Sequence, residues 1–124
     1  VTGKIITITH IPGAYFTVNP MAVRQDIDIF TENTRTVILI ESREFGTVAY
    51  VAVGAMMVGA IVLRVREGAV VGKGDEIGYF AFGGSTIIVA CQNILFDQDI
   101  ISHSQTPIET LVQVGERIGC LSKL

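Results

Sequence analysis

From Phe45 to Leu63 the chain carries no charged side chain, a run long enough to be read as a membrane-spanning helix. Its residue types point elsewhere. Val48, Val51, Val53, Val58, Ile61 and Val62 are β-branched, and Gly54 and Gly59 interrupt the run where a break between two short strands would fall. Two core strands are therefore expected, although a membrane helix lined by small residues has the same composition.

The rest of the chain repeats this texture, with short apolar runs separated by glycine and proline at the spacing of an all-β sandwich or barrel. Strands are expected around 3–10, 14–18, 36–41, 47–53, 57–65, 77–82, 86–91 and 110–114. One short helix is expected over Met21–Thr31, because Asn19 can cap it, Pro20 suits its first turn, and Met21, Val23, Ile27 and Phe30 share much of one face. Asn93–Thr106 is polar enough, apart from Ile94-Leu95-Phe96 and Ile100-Ile101, to contain a surface loop. With 124 residues the chain suffices for a single domain, 1–124, that is mainly β. Val1 stands where an initiator methionine would, and the alternating Lys4–Thr9 follows almost at once, so the chain reads as a piece of something longer.

Nine basic against twelve acidic residues leave no basic block able to neutralise a row of phosphates, which argues against nucleic acid. Cys91 and Cys120 are too far apart for a CxxC redox or metal pair, and reduced, buried thiols are expected; no metal site is read.

An internal echo supports the β reading. Gly74-Asp75-Glu76-Ile77-Gly78-Tyr79-Phe80 matches Gly115-Glu116-Arg117-Ile118-Gly119-Cys120-Leu121 as glycine, acid, any residue, isoleucine, glycine, any residue, apolar. Such turns are similar to those of barrel-sandwich hybrid domains, so the expected fold is a barrel-sandwich-like hybrid with pseudo-repeated glycine-turn halves. A non-catalytic carrier of that type needs a lysine at a hairpin tip between methionines. Lys73, between Gly72 and Gly74, lacks that setting.

Gly83-Gly84-Ser85-Thr86 carries the chemistry. Without a Cβ on Gly84, the Ser85 hydroxyl can reach the preceding carbonyl, form an ester by N-to-O acyl shift and then eliminate, cutting the chain and leaving a pyruvoyl group. The competing reading is an ordinary glycine turn.

Four further stretches occur with this one in a characteristic order: Gly13–Ala22, Phe30–Arg35, Glu44-Phe45-Gly46, and Val53–Gly59, followed by Gly74–Thr86. In this the chain resembles the phosphatidylserine decarboxylases nearly end to end. Pro107–Gly115 is most similar to the eukaryotic type II branch, whose members sit on endosomal, Golgi or vacuolar membranes. The resemblance implies self-cleavage between Gly84 and Ser85, with residues 1–84 ending a β chain and Ser85, as the pyruvoyl cofactor, heading an α chain of residues 85–124. That carbonyl would take the substrate amine as a Schiff base and accept the electrons left when CO2 departs, converting phosphatidylserine to phosphatidylethanolamine. The resemblance places the histidine and aspartate of self-cleavage upstream of Val1, making the rest of the proenzyme a partner of this segment. His10 is then a strand residue facing solvent or a backbone acceptor, and His103 a loop residue. Asn33-Thr34-Arg35 departs from the family's commoner Asn-Glu-Arg, and whether Glu32 substitutes is open. Some fungal relatives decarboxylate free aromatic amino acids such as tryptophan, which would suit a cytoplasmic enzyme. A phospholipid substrate instead needs apolar surface against a membrane, to which Phe16, Phe45 and Met56-Met57 can contribute unless they are core.

Overall fold

The computed structural model describes residues 1–24, 26–56, 60–82, 85–106 and 108–122. The chain is mainly β, built on a curled five-stranded sheet with two smaller sheets beside it. In chain order the elements are β1 (Gly3–Ile11), α1 (Pro20–Val23), α2 (Ile29–Glu32), β2 (Arg35–Ser42), β3 (Gly46–Val53), β4 (Ala60–Leu63), β5 (Val70–Val71), β6 (Gly78–Ala81), β7 (Thr86–Ala90), β8 (Ile94–Phe96), α3 (Gln98–Gln105) and β9 (Gly119–Leu121). The main sheet runs β5-β1-β2-β3-β7, all antiparallel, while β4 pairs with β6 and β8 with β9.

Strand β2 lies at the centre because its side chains alternate so strictly: Thr36, Ile38, Ile40 and Ser42 are buried on one face. Ile38 and Ile40 join Ile5, Val48 and Val71 in the core, with Phe45, Tyr50, Leu63, Val65, Ile77 and Cys91 packed around them. The uncharged run resolves into β3 and β4, and no helix among the described residues is long and apolar enough to cross a membrane. A transmembrane helix would have left the β-branched side chains without the cross-strand neighbours they meet here, such as Val51 opposite Val37.

The echo between the two glycine turns holds atom by atom. Gly74 and Gly115 have φ of +95° and +84°, the left-handed region where a Cβ is penalised. In each turn the acid that follows bonds back three residues: Asp75 Oδ2 accepts from the Gly72 N–H, and Glu116 Oε2 from the Gln113 N–H, both at 2.7 Å. Each turn then delivers a glycine-led strand onto a short partner, Gly78 opposite Leu63 and Gly119 opposite Phe96. Equivalent ion pairs brace the two units with charges exchanged, Arg64 to Glu76 and Arg117 to Asp97, each at 3.1 Å. These pairs are exposed on at least one side and contribute at most about 1 kcal/mol each. Their value is diagnostic, since they occupy matching positions in the two halves.

Several expectations are corrected. The helix expected over Met21–Thr31 is two separate turns, and with α3 the described residues hold three helices, not one. Asn19 and Pro20 do start α1, the Asn19 side chain accepting from the Met21 N–H at 2.9 Å. The helix does not continue because Asp26, Ile27 and Asp28 are poor helix formers and a fresh turn closed on the Asp28 carbonyl buries Ile29. Segment 14–18 is not a strand: only Ala14 makes an isolated parallel bridge, to Asn33, and Phe16 spends its backbone groups on a side chain. Residues 110–114 are also irregular, with Leu111 and Val114 exposed. The expected strand 57–65 is observed as Ala60–Leu63; residues 57–59 lie outside the described residues. The stretch after Asn93 holds β8 and α3, and Ile100 on α3 lines a cavity of about 260 Å3 with Phe96 and Ile118. Cys120 is exposed rather than buried, and Cys91 is half-buried; both are free thiols.

The glycine that leads β6 gives a direct test. A Cβ on Gly78 would lie 2.2 Å from the Val62 carbonyl oxygen, and its nearest neighbours are all backbone atoms of Val62 and Leu63, with no flexible side chain among them to yield. Gly78→Ala is expected to lower stability by roughly 2–4 kcal/mol in denaturant titration, as overpacking against backbone does.

Candidate active site

Ser85 precedes β7 directly, and the first residue of that strand, Thr86, pairs with the last residue of β3, Val53. The ladder continues through Ala52–Ile87, Val51–Ile88, Tyr50–Val89 and Ala49–Ala90, so the position of residue 85 is set by the main sheet and not by a free loop. Ahead of it, Phe82 adopts a φ of +72° and is 89% exposed, an unusual conformation for a bulky side chain. Gly83 and Gly84, and with them the bond expected to be cut, lie outside the described residues.

The Ser85 hydroxyl is the informative atom. Its Oγ is buried and has no hydrogen-bond partner among the described residues, the only such side-chain atom among them. A turn serine would normally bond to nearby backbone, and leaving a hydroxyl buried and unsatisfied costs about 1–3 kcal/mol. A buried hydroxyl at the start of a sheet-anchored strand is instead suited to attack on its own main chain.

The end of β3 is fixed in turn by a buried side chain that the sequence marked only as part of a motif. Asn33 is fully buried. Its Oδ1 accepts from the Phe16 N–H at 2.9 Å, and its Nδ2 donates to the Phe16 and Gly54 carbonyls at 2.8 Å each. Gly54 follows Val53 and also donates its N–H to the Thr34 carbonyl at 2.9 Å. One amide thus ties the 14–18 segment, the end of α2 and the end of β3 together beside Thr86. The neighbouring Arg35 guanidinium donates to the Thr31 and Asn33 carbonyls, at 2.6 and 3.1 Å. Thr34, where the family more often has glutamate, is half-buried, its hydroxyl 3.4 Å from the Ile11 carbonyl; Glu32 is exposed on α2.

Both histidines are hydrogen-bonded to threonines. His10 is an exposed β1 residue whose Nδ1 lies 2.9 Å from the Thr36 hydroxyl, a side-chain partner rather than a backbone one. His103 is not in a loop but in the last turn of α3, its Nδ1 2.9 Å from the Thr110 hydroxyl. Among the residues considered for lipid contact, Phe16 and Met56 are exposed, Phe45 packs on the core, and Met57 lies outside the described residues.

Two charged residues near the serine were not singled out from sequence. Arg24, which ends α1, and Glu109, far along the chain, line one cavity of about 360 Å3 together with Val18, Val23, Phe30 and Thr86. No local pattern announces this grouping, because it joins segments from either side of Ser85 only in the folded chain.

A family model described as "Phosphatidylserine decarboxylase" matches residues 1–120. The chain is 57% identical over 121 residues to "Phosphatidylserine decarboxylase proenzyme 3" of Schizosaccharomyces pombe, covering 96% of this chain and 12% of that protein. It is 49% identical over 124 residues to "Phosphatidylserine decarboxylase proenzyme 2" of Saccharomyces cerevisiae, covering 98% and 11%, and 42% identical over 111 residues to the proenzyme of Chlamydia muridarum, covering 88% and 37%. The chain therefore spans about an eighth of the length of the yeast relatives. No solved structure matches it.

Asn33→Ala would strand two carbonyls and an N–H in a buried place. A loss of about 3 kcal/mol is expected from three such groups with partial compensation by water, read as a lowered denaturant midpoint with unchanged slope.

Proposed function

Because the chain belongs to the phosphatidylserine decarboxylase family, we propose that it is the catalytic portion of a proenzyme that cuts itself between Gly84 and Ser85 and decarboxylates phosphatidylserine to phosphatidylethanolamine. The observation that carries this reading is the buried Ser85 Oγ at the head of β7, without a hydrogen-bond partner among the described residues.

The cut follows from that hydroxyl. Once deprotonated, Ser85 Oγ attacks the Gly84 carbonyl carbon; the ester forms as the peptide C–N bond breaks, and the Ser85 nitrogen takes up a proton. Loss of the Cα proton expels the Gly84 carboxylate from Cβ, and hydrolysis of the resulting enamine releases ammonia. The pyruvoyl group left at position 85 supplies an electron sink for decarboxylation, which no protein side chain offers. The five-pair ladder between β3 and β7 keeps residue 85 in place through this change, since it holds residues 86–90 to the sheet independently of the severed bond.

By resemblance to the family, the base that takes the hydroxyl proton belongs to the rest of the proenzyme. Each of this chain's two histidines is hydrogen-bonded to a threonine. The phospholipid reading places the enzyme at an intracellular membrane surface, endosomal, Golgi or vacuolar by likeness to the type II branch. Exposed Phe16 and Met56 support such contact.

Ser85→Ala in the full-length proenzyme is expected to give an uncut chain with no decarboxylation, by gel and by release of labelled CO2; turnover by that variant overturns the reading. Borohydride with substrate present is expected to attach the substrate amine at position 85 of the mature enzyme and nowhere else. The isolated 124-residue chain is expected to stay intact by mass over hours, and rapid release of an 85–124 fragment with a blocked terminus would show that the base lies within it.

A further inference from the structure

The cavity beside Thr86 is lined by residues of opposite charge. Half-buried Val18, Val23 and Phe30 supply apolar wall, and the exposed residues Arg24 and Glu109 supply a cation and an anion. Its volume, about 360 Å3, lies in the range of small-molecule sites. Thr86, covalently next to Ser85, lines the same space, so whatever occupies it lies alongside the reacting position.

From this grouping, and resting on the function proposed above, we infer that Arg24 and Glu109 form the subsite for a zwitterionic phosphodiester headgroup, Arg24 holding the phosphate and Glu109 the ammonium. Arginine offers a planar fork of donors matched to phosphate oxygens. A carboxylate opposite it selects for a ligand that is anionic at one end and cationic at the other, against simple anionic phospholipids. Arg24 is assigned to the phosphate and not to the substrate carboxylate for an energetic reason. A cation paired with the carboxylate would stabilise the ground state and oppose CO2 loss, whereas an apolar wall favours departure of the charge. A free aromatic amino acid has no phosphodiester for Arg24 to hold, so the two substrate readings part at this residue. The pocket also spans the proposed cut: Val18, Val23, Arg24 and Phe30 lie before it, and Thr86 and Glu109 after it.

Binding to the full-length proenzyme carrying Ser85→Ala tests this without any step of processing or turnover. Calorimetry would compare three soluble probes: glycerophosphoserine, glycerophosphoethanolamine and glycerophosphoglycerol. Arg24→Ala is expected to weaken all three by about 10- to 100-fold, the range for a hydrogen-bonded charge pair, with Arg24→Lys retaining part of the affinity. Glu109→Gln is expected to weaken the serine and ethanolamine probes by about 10-fold and leave the glycerol probe within twofold. Unchanged affinities in Arg24→Ala, or weakening confined to glycerophosphoserine, would overturn the phosphate assignment, the second result pointing to the carboxylate. Equal response of all three probes to Glu109→Gln would overturn the ammonium assignment. Failure of the pyruvoyl reading shows separately, as decarboxylation by Ser85→Ala.

Discussion

A single buried amide sets the frame around Ser85. Asn33 satisfies both backbone groups of Phe16 and the carbonyl of Gly54, and no hydrophobic residue of similar size could do so. Buried polar groups are costly unless paired, so this three-way bond is stable only in one relative placement of the segments it joins. That placement puts the end of β3 where it meets Thr86. The order of dependence runs from Asn33 to Gly54 and Val53, to Thr86, and so to Ser85.

Much of this was legible from residue pattern. The β-branched, glycine-broken run after Phe45 marked β3 and β4, the alternation of Thr36 to Ser42 marked the central strand, and the twin glycine turns proved equivalent down to their carboxylate bonds. Ser85 was singled out because the chemistry proposed for it depends on immediate neighbours in sequence. What escaped were features set by tertiary contact. The break between α1 and α2 reflects burial of Ile29, and the strand expected near Tyr15 lost the backbone groups of Phe16 to Asn33. Arg24 and Glu109 are separated by most of the chain, and no spacing rule connects them.

The two glycine-turn units show how much variation such a frame tolerates. Their turns, close backbone approaches and pairings agree, yet the bracing ion pair has exchanged its charges between strand and turn. Backbone geometry is what the fold requires there; the sign at each end is free to change so long as the partner changes with it.

The ladder between β3 and β7 has a consequence for the order of events. While the chain is whole, those five pairs form within one molecule, at the small entropic cost of closing a loop. After severance, the same pairs would have to form between two separate polypeptides, with loss of translational freedom and a rate that depends on concentration. Under the proposed cut, the molecule would acquire its shape before its reactive group, and a denatured, severed molecule would lack the connection through which it was first built.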